Sequence, residues 1–201
     1  PQLESVIYAG NAHETHLKGW FKRGEIEGQL MAASEDDEGA FRLRKGWFLG
    51  DGTGCGKGRQ VAGIILDNWL QGRRRAVWVS KSDKLIEDAR RDWMALGGRE
   101  SDIVPLSKFR QGSDIRLPEG ILFVTYATLR SAERDGKASR LDQVTSWLGE
   151  GFNGVIAFDE SHAMANAAGE KSDRGDKKAS QQGLAGLALQ NAVPVARMLY
   201  F

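Results

Sequence analysis

The stretch Trp47-Phe48-Leu49-Gly50-Asp51-Gly52-Thr53-Gly54-Cys55-Gly56-Lys57-Gly58-Arg59-Gln60 decides the fold. Its first three residues are apolar. The segment after it carries Val61, Ile64, Ile65 and Trp69, a spacing of i, i+3, i+4, i+8 that marks one face of a helix. The glycines therefore sit on a strand-to-helix turn. A phosphate-binding loop needs that context: glycines let backbone N–H groups turn inward as a nest, and the helix N-terminus adds positive potential. Lys57, at the end of the loop, is placed to reach the terminal phosphates.

The match to the usual pattern G-x-x-x-x-G-K-[ST] is incomplete. Gly56-Lys57 fits, but Asp51 stands where the first glycine belongs. Gly58 replaces the hydroxyl residue that ordinarily holds Mg²⁺. A glycine-rich loop alone also describes a flexible surface loop, so a second motif is needed.

Outward from the loop, strands and helices alternate. Lys45 to Gly50 reads as the first core strand. Ala76 to Ser80, Ile103 to Leu106, Ile121 to Thr125, Val155 to Phe158 and Met198 to Phe201 are further strands. Between them, Leu85, Ile86, Ala89, Trp93 and Leu96 keep helical spacing, stopped by Gly97-Gly98. Helices are also predicted near Ala127, from Ser139 to Leu148 and from Leu184 to Ala192. Ile121 to Thr125 is apolar without a break, as a strand buried on both faces should be. The order implies an α/β fold, a mostly parallel sheet with helices on both faces. Residues 45–201 form the core of a single nucleotide-binding domain, and residues 1–44 an N-terminal extension and loop. Gln2 to Ala9 is a short helix. Gly19 to Gly39 is a loop or hairpin whose acidic run, Glu35 to Glu38, is solvated. Asn166 to Gly183 is polar and glycine-rich and reads as a mobile loop.

The second motif is the end of the Val155 to Phe158 strand, Asp159-Glu160-Ser161-His162. An apolar strand ending in two carboxylates is the Walker B arrangement. Asp159 would hold Mg²⁺, directly or through water. Glu160 would orient and deprotonate an attacking water. In an open parallel sheet, ligands bind outside the carboxyl ends of the strands, and both motifs lie at such ends. Phosphoryl transfer needs positioning and charge neutralisation, which this set supplies. A P-loop kinase has no use for a carboxylate beside the metal aspartate, so Glu160 favours hydrolysis.

Bulk properties set limits. The chain has 201 residues, 41% hydrophobic and 27% charged, with a net charge of +1, so no global basic field points to nucleic acid. The single cysteine, Cys55, makes no internal disulfide, which fits a reducing compartment. No apolar run is long enough to span a membrane, and no signal segment opens the chain. His13 and His16 have an i, i+3 spacing without a third ligand nearby, so two partly exposed histidines are the expectation. Arg73 to Arg75 and the Arg42, Arg44, Lys45 group each abut a strand and read as solvated strand entrances.

Asp159-Glu160-Ser161-His162 resembles the DExH box of superfamily-two helicases, and Gly52 to Lys57 resembles their first motif. Val79-Ser80-Lys81-Ser82 is similar to the next motif, and Val124 to Leu129 to the Thr-Tyr segment of the remodelling-type ATPases. The run from Gly50 to Arg59, the opening Gln2 to Ala9, and Phe158 to Asn166 are similar to the strawberry notch family. That resemblance covers nearly the whole chain. It implies the first RecA-like domain of a bacterial or phage helicase-like ATPase, cytoplasmic and often joined to a DNA methylase. ATP and Mg²⁺ would be its cofactors. The loop residues Gly52, Thr53, Gly54, Cys55, Gly56, Lys57, Gly58 and Arg59 would hold the nucleotide, and Gln2 would read adenine. Ser80, Lys81 and Thr125 would approach a nucleic-acid backbone, DNA rather than RNA, and His162 would couple the two ligands. The second RecA-like domain, with its arginine finger, would lie beyond Phe201. Two rivals remain: an ATP-dependent switch or scaffold that unwinds nothing, and a non-hydrolysing nucleotide-binding module.

Overall fold

The computed structural model describes residues 2–25, 29–52, 54–131, 138–164 and 180–201. Helix α1 (Gln2–His13) opens the chain. Strands β1 (Trp20–Arg23) and β2 (Leu30–Ala33) pair antiparallel as a separate hairpin, Trp20 opposite Ala33. The core then runs β3 (Trp47–Phe48), α2 (Lys57–Leu70), β4 (Arg75–Ser80), α3 (Ile86–Met94), β5 (Ile103–Pro105), β6 (Gly120–Thr125), α4 (Tyr126–Leu129), α5 (Arg140–Leu148), β7 (Val155–Phe158), α6 (Gln181–Ala192) and β8 (Arg197–Tyr200).

Six strands form one sheet in the order β3-β8-β7-β4-β6-β5, every pairing parallel. Its central strands are buried on both faces, which is why their sequences are continuous apolar runs. The period of two sends alternate residues to opposite sides. Val77, Val79, Leu122, Val124, Ile156, Phe158 and Met198 pack with α4, α5 and α6. Ala76, Trp78, Ile121, Phe123, Val155, Ala157 and Leu199 pack with α1, α2 and α3. Register makes these sides into rows: Trp78, Phe123, Ala157 and Leu199 stand side by side across four strands. Phe123 and Phe158 are almost fully buried, and truncating either to Ala would cost about 3–5 kcal/mol.

The topology explains the site. From the edge strand β3, the chain crosses through α2 to β4 near the centre. The gap between them is filled later by β7 and β8. The glycine loop after β3 and the Asp159-Glu160 turn after β7 therefore lie at the same edge of the sheet, with only β8 between their strands.

Several expectations are revised. The opening helix extends to His13, and the edge strand shrinks to Trp47–Phe48 because it pairs only with β8. Most of the expected mobile loop lies outside the described residues, and its last residues, Gln181 to Gly183, belong to the first turn of α6, capped by Ser180. His13 is not partly exposed: it is buried, its Nε2 bonded to the Met198 carbonyl at 3.0 Å. The arginine groups are not merely solvated. Arg44 donates to the carbonyls of Val195 and His13, and Arg42 to that of Leu17. Arg73 donates to the Asn68 side chain, Arg74 pairs with Glu119 at 3.3 Å, and Arg75 lies over the Trp147 ring. Long cationic side chains bury their stems while their heads satisfy carbonyls that end strands and loops.

Candidate nucleotide site

The loop between β3 and α2 owes its shape to two left-handed glycines, Gly54 at φ 82° and Gly56 at φ 72°. A side chain at either position would be strained. Gly56 is the N-cap of α2, and no side chain caps the helix. The amides of its first turn thus keep their capacity to bind an anion. No acidic residue stands in that turn to compete. Lys57 is its first residue, half-buried.

Three side chains support the loop from outside it. Gln2 donates from Nε2 to the Cys55 carbonyl at 3.2 Å, so the structure brings the first helix against the loop. Gln60, buried in α2, donates to the Asp51 carboxylate at 2.8 Å. Asp51 thus holds the loop from the position where a glycine is usual. Asp92 of α3 reaches over Gly58: a Cβ there would lie 2.3 Å from its Oδ2. Asp92 is in turn paired with Arg59 at 3.2 Å. The space a hydroxyl residue would use after Lys57 is therefore filled by a carboxylate from another helix. Arg59, expected to hold nucleotide, is turned toward Asp92 instead. Thr53 lies outside the described residues.

Across β8, Asp159 follows the end of β7. Its backbone N–H donates to Val79, and its Oδ2 accepts from the Ser80 hydroxyl at 2.7 Å. Burial pushes the Asp159 carboxyl above its usual range, while the Ser80 hydrogen bond and the charge of Lys57 act the other way. The influence of Lys57 ties the two motifs together electrostatically. Glu160 and His162 are exposed and face each other at 3.1 Å.

Of the residues expected near a nucleic-acid backbone, Lys81 alone presents an exposed side chain. Ser80 is fully buried against Asp159. Thr125 is buried, and its hydroxyl caps α4 at the Thr128 N–H. Both lie at strand ends, buried and hydrogen-bonded within the chain, whereas the expectation had them exposed. Sequence reasoning missed Asp92, Gln60, Tyr126 and Arg197. Arg197 is buried in β8 and pairs with Glu14 at 2.7 Å. Except for Gln60, nine residues from Asp51, their contacts run between distant segments that no local spacing marks.

The residues fit an Mg²⁺ ion bound with nucleotide. Asp159 is a single half-buried carboxylate, and no group of three His, Cys, Asp or Glu among the described residues forms a metal cage. Mg²⁺ commonly takes one or two carboxylates, its other ligands being phosphates and water.

A sheet of this order, with a glycine loop and a carboxylate turn at one edge, defines a P-loop nucleotide-binding domain. Comparison with known proteins agrees: residues 1–201 match the family described as P-loop containing NTP hydrolase pore-1, and the chain belongs to it. It is similar to strawberry notch proteins, with 38% identity over 206 residues to strawberry notch homolog 1 of Gallus gallus and 39% over 201 residues to strawberry notch homolog 2 of Homo sapiens. Protein FORGETTER 1 of Arabidopsis thaliana is 34% identical over 203 residues. Each comparison covers 99% of this chain, but the chain spans only 12–14% of those relatives' length. These relatives come from animals and a plant, so they do not support the bacterial or phage, methylase-joined type. A SWI2/SNF2 ATPase core from Sulfolobus solfataricus, solved with dsDNA, aligns at a TM-score of 0.46 and 16% identity, covering 77% of this chain and 27% of that one. Likeness at that level adds nothing to the topology itself. Among the described residues, no helix is long and apolar enough to cross a membrane.

Proposed function

We propose that this chain is the ATP-binding first motor domain of a DExH-type ATPase, which in the intact protein couples Mg-ATP hydrolysis to action on DNA. The observation that carries the reading is the meeting of the glycine loop and the Asp159-Glu160 turn at one edge of the sheet, with only β8 between their strands. The α2 amides and Lys57 would bind the β- and γ-phosphates. Gln2, held against the loop, would lie at the adenine end. Asp159, oriented by Ser80, would hold Mg²⁺, which supplies charge neutralisation on the phosphates. Glu160 would accept a proton from the attacking water. DNA rather than RNA is proposed as the nucleic-acid partner, with Lys81 the exposed contact and His162 beside Glu160 as the coupling residue. A second RecA-like domain of the same protein would close the site with an arginine finger.

The alternative is an ATP-dependent switch that binds partners and unwinds nothing. ATP hydrolysis by the full-length protein, with and without single- and double-stranded DNA, separates the two. Stimulation by DNA, lost in Glu160→Gln with nucleotide binding retained, is the expected result. Hydrolysis indifferent to DNA supports the switch. Lys57→Ala should abolish nucleotide binding and leave the melting transition in place. Loss of that transition would remove the basis for assigning Lys57 to phosphate.

A further inference from the structure

We propose that Tyr126 is the positioning residue of the Asp159-Glu160 turn, holding the backbone conformation that aims the Glu160 carboxylate. The inference rests on the reading of Glu160 as the residue that serves the water. Glu160 has φ 51°, the only positive φ at a non-glycine residue among those described. An L-residue with a side chain this long is strained there, and such strain persists only where the surroundings over-determine it.

Three hydrogen bonds do so. The Asp159 N–H donates to Val79 at 2.8 Å, and the Ser161 N–H to Phe201 at 3.0 Å. Both are main-chain bonds. The third comes from a side chain: the Tyr126 hydroxyl donates to the Asp159 carbonyl at 2.9 Å. That carbonyl belongs to the peptide entering Glu160, so its orientation sets the φ of Glu160.

Tyr126 is itself held rigidly. It is fully buried and stacks on Phe158, with centroids 6.5 Å apart and planes at 19°. Phe158 stacks on Tyr200 at 5.5 Å, and the Tyr200 hydroxyl donates to Gln190 of α6 at 2.7 Å. The backbone before Tyr126 is pinned by the Thr125 cap of α4. A phenol hydroxyl is protonated at neutral pH, so it serves as the donor to the Asp159 carbonyl. The end of β6 and the turn after β7 are thereby joined through one O–H.

The test is Tyr126→Phe in the full-length protein, which keeps the ring and removes only the hydroxyl. The expected result is a fall of about tenfold in kcat for ATP hydrolysis, with the Kd for mant-ATP within about twofold of the unsubstituted protein. A lower melting temperature with unchanged kcat would mean that Tyr126 only packs, and would overturn the proposal. A parallel loss of kcat and nucleotide affinity would also overturn it. Hydrogen exchange at the Ser161 amide provides a readout independent of turnover. Exchange should quicken in Tyr126→Phe, and unchanged exchange would refute the clamp. If the unsubstituted protein hydrolyses no ATP, the reading of Glu160 fails, and exchange at Ser161 still decides whether Tyr126 holds the turn.

Discussion

Replacing Ser80 by Ala should weaken Mg²⁺-dependent nucleotide binding, and most strongly at low pH. The Ser80 hydroxyl is fully buried and donates to the Asp159 carboxylate at 2.7 Å. A hydrogen bond to a charged group contributes about 1.5–3 kcal/mol. Removing it costs the ionised form of Asp159 that amount. The neutral form loses much less. Metal needs the ionised form, so where protons compete for Asp159 the apparent Mg²⁺ affinity should fall, by at most about ten- to a hundredfold. The sign with pH follows from burial, which already pushes the Asp159 carboxyl up. Losing Ser80 pushes it up further, so protons compete better with metal as pH falls, and affinity recovers as pH rises. The assay is Mg²⁺ titration of mant-ATP binding to the full-length protein between pH 6 and 8.5. Mg²⁺ half-saturation in Ser80→Ala that matches the unsubstituted protein at every pH would refute the reasoning. It would mean either that Asp159 does not meet the metal or that Ser80 does not tune it.

Two further outcomes are expected. Burial, the largest cause, depresses His13 from 6.5 to about 4, with Arg197 and Arg44 adding to it. The unfolded chain binds the proton more readily, so the contribution of His13 to stability is fully present above pH 6.5 and is lost as pH falls toward 4. The shift corresponds to about 3 kcal/mol. Urea unfolding at pH 7.5 and pH 4.5 should show a steeper acid loss in the unsubstituted protein than in His13→Asn; equal losses would remove His13 as the cause. Gly58→Thr restores the usual hydroxyl but displaces Asp92 from Arg59. The half-exposed pair is worth at most about 1 kcal/mol. Mg-ATP affinity measured with mant-ATP should therefore not improve, and a tenfold gain would show that the carboxylate is no obstacle.

Much of this molecule could be read before its structure. The glycine loop, the helical face after it and the strand ending in Asp159-Glu160 are local patterns. Continuous apolar runs betrayed β4, β6 and β7 because both faces of those strands are buried. The edge strand β3 was harder to bound, since pairing on one side only leaves little periodic signal.

Sequence by itself determined the class of fold and the two motifs, because phosphate loops and buried parallel strands impose their chemistry on adjacent residues. It also marked Gly58 as a departure without saying what fills its place. Only the tertiary structure decided that Asp92 fills it, that the Ser80 hydroxyl bonds the Asp159 carboxylate, and that the Tyr126 hydroxyl reaches the Asp159 carbonyl. Strand order settled the last two, and helix packing the first. β4 comes to lie between β7 and β6 although long segments separate the three in the chain, and α3 comes to rest against the first turn of α2. A hydrogen bond depends on distance and direction in space, and neither is written in the spacing of residues along the chain.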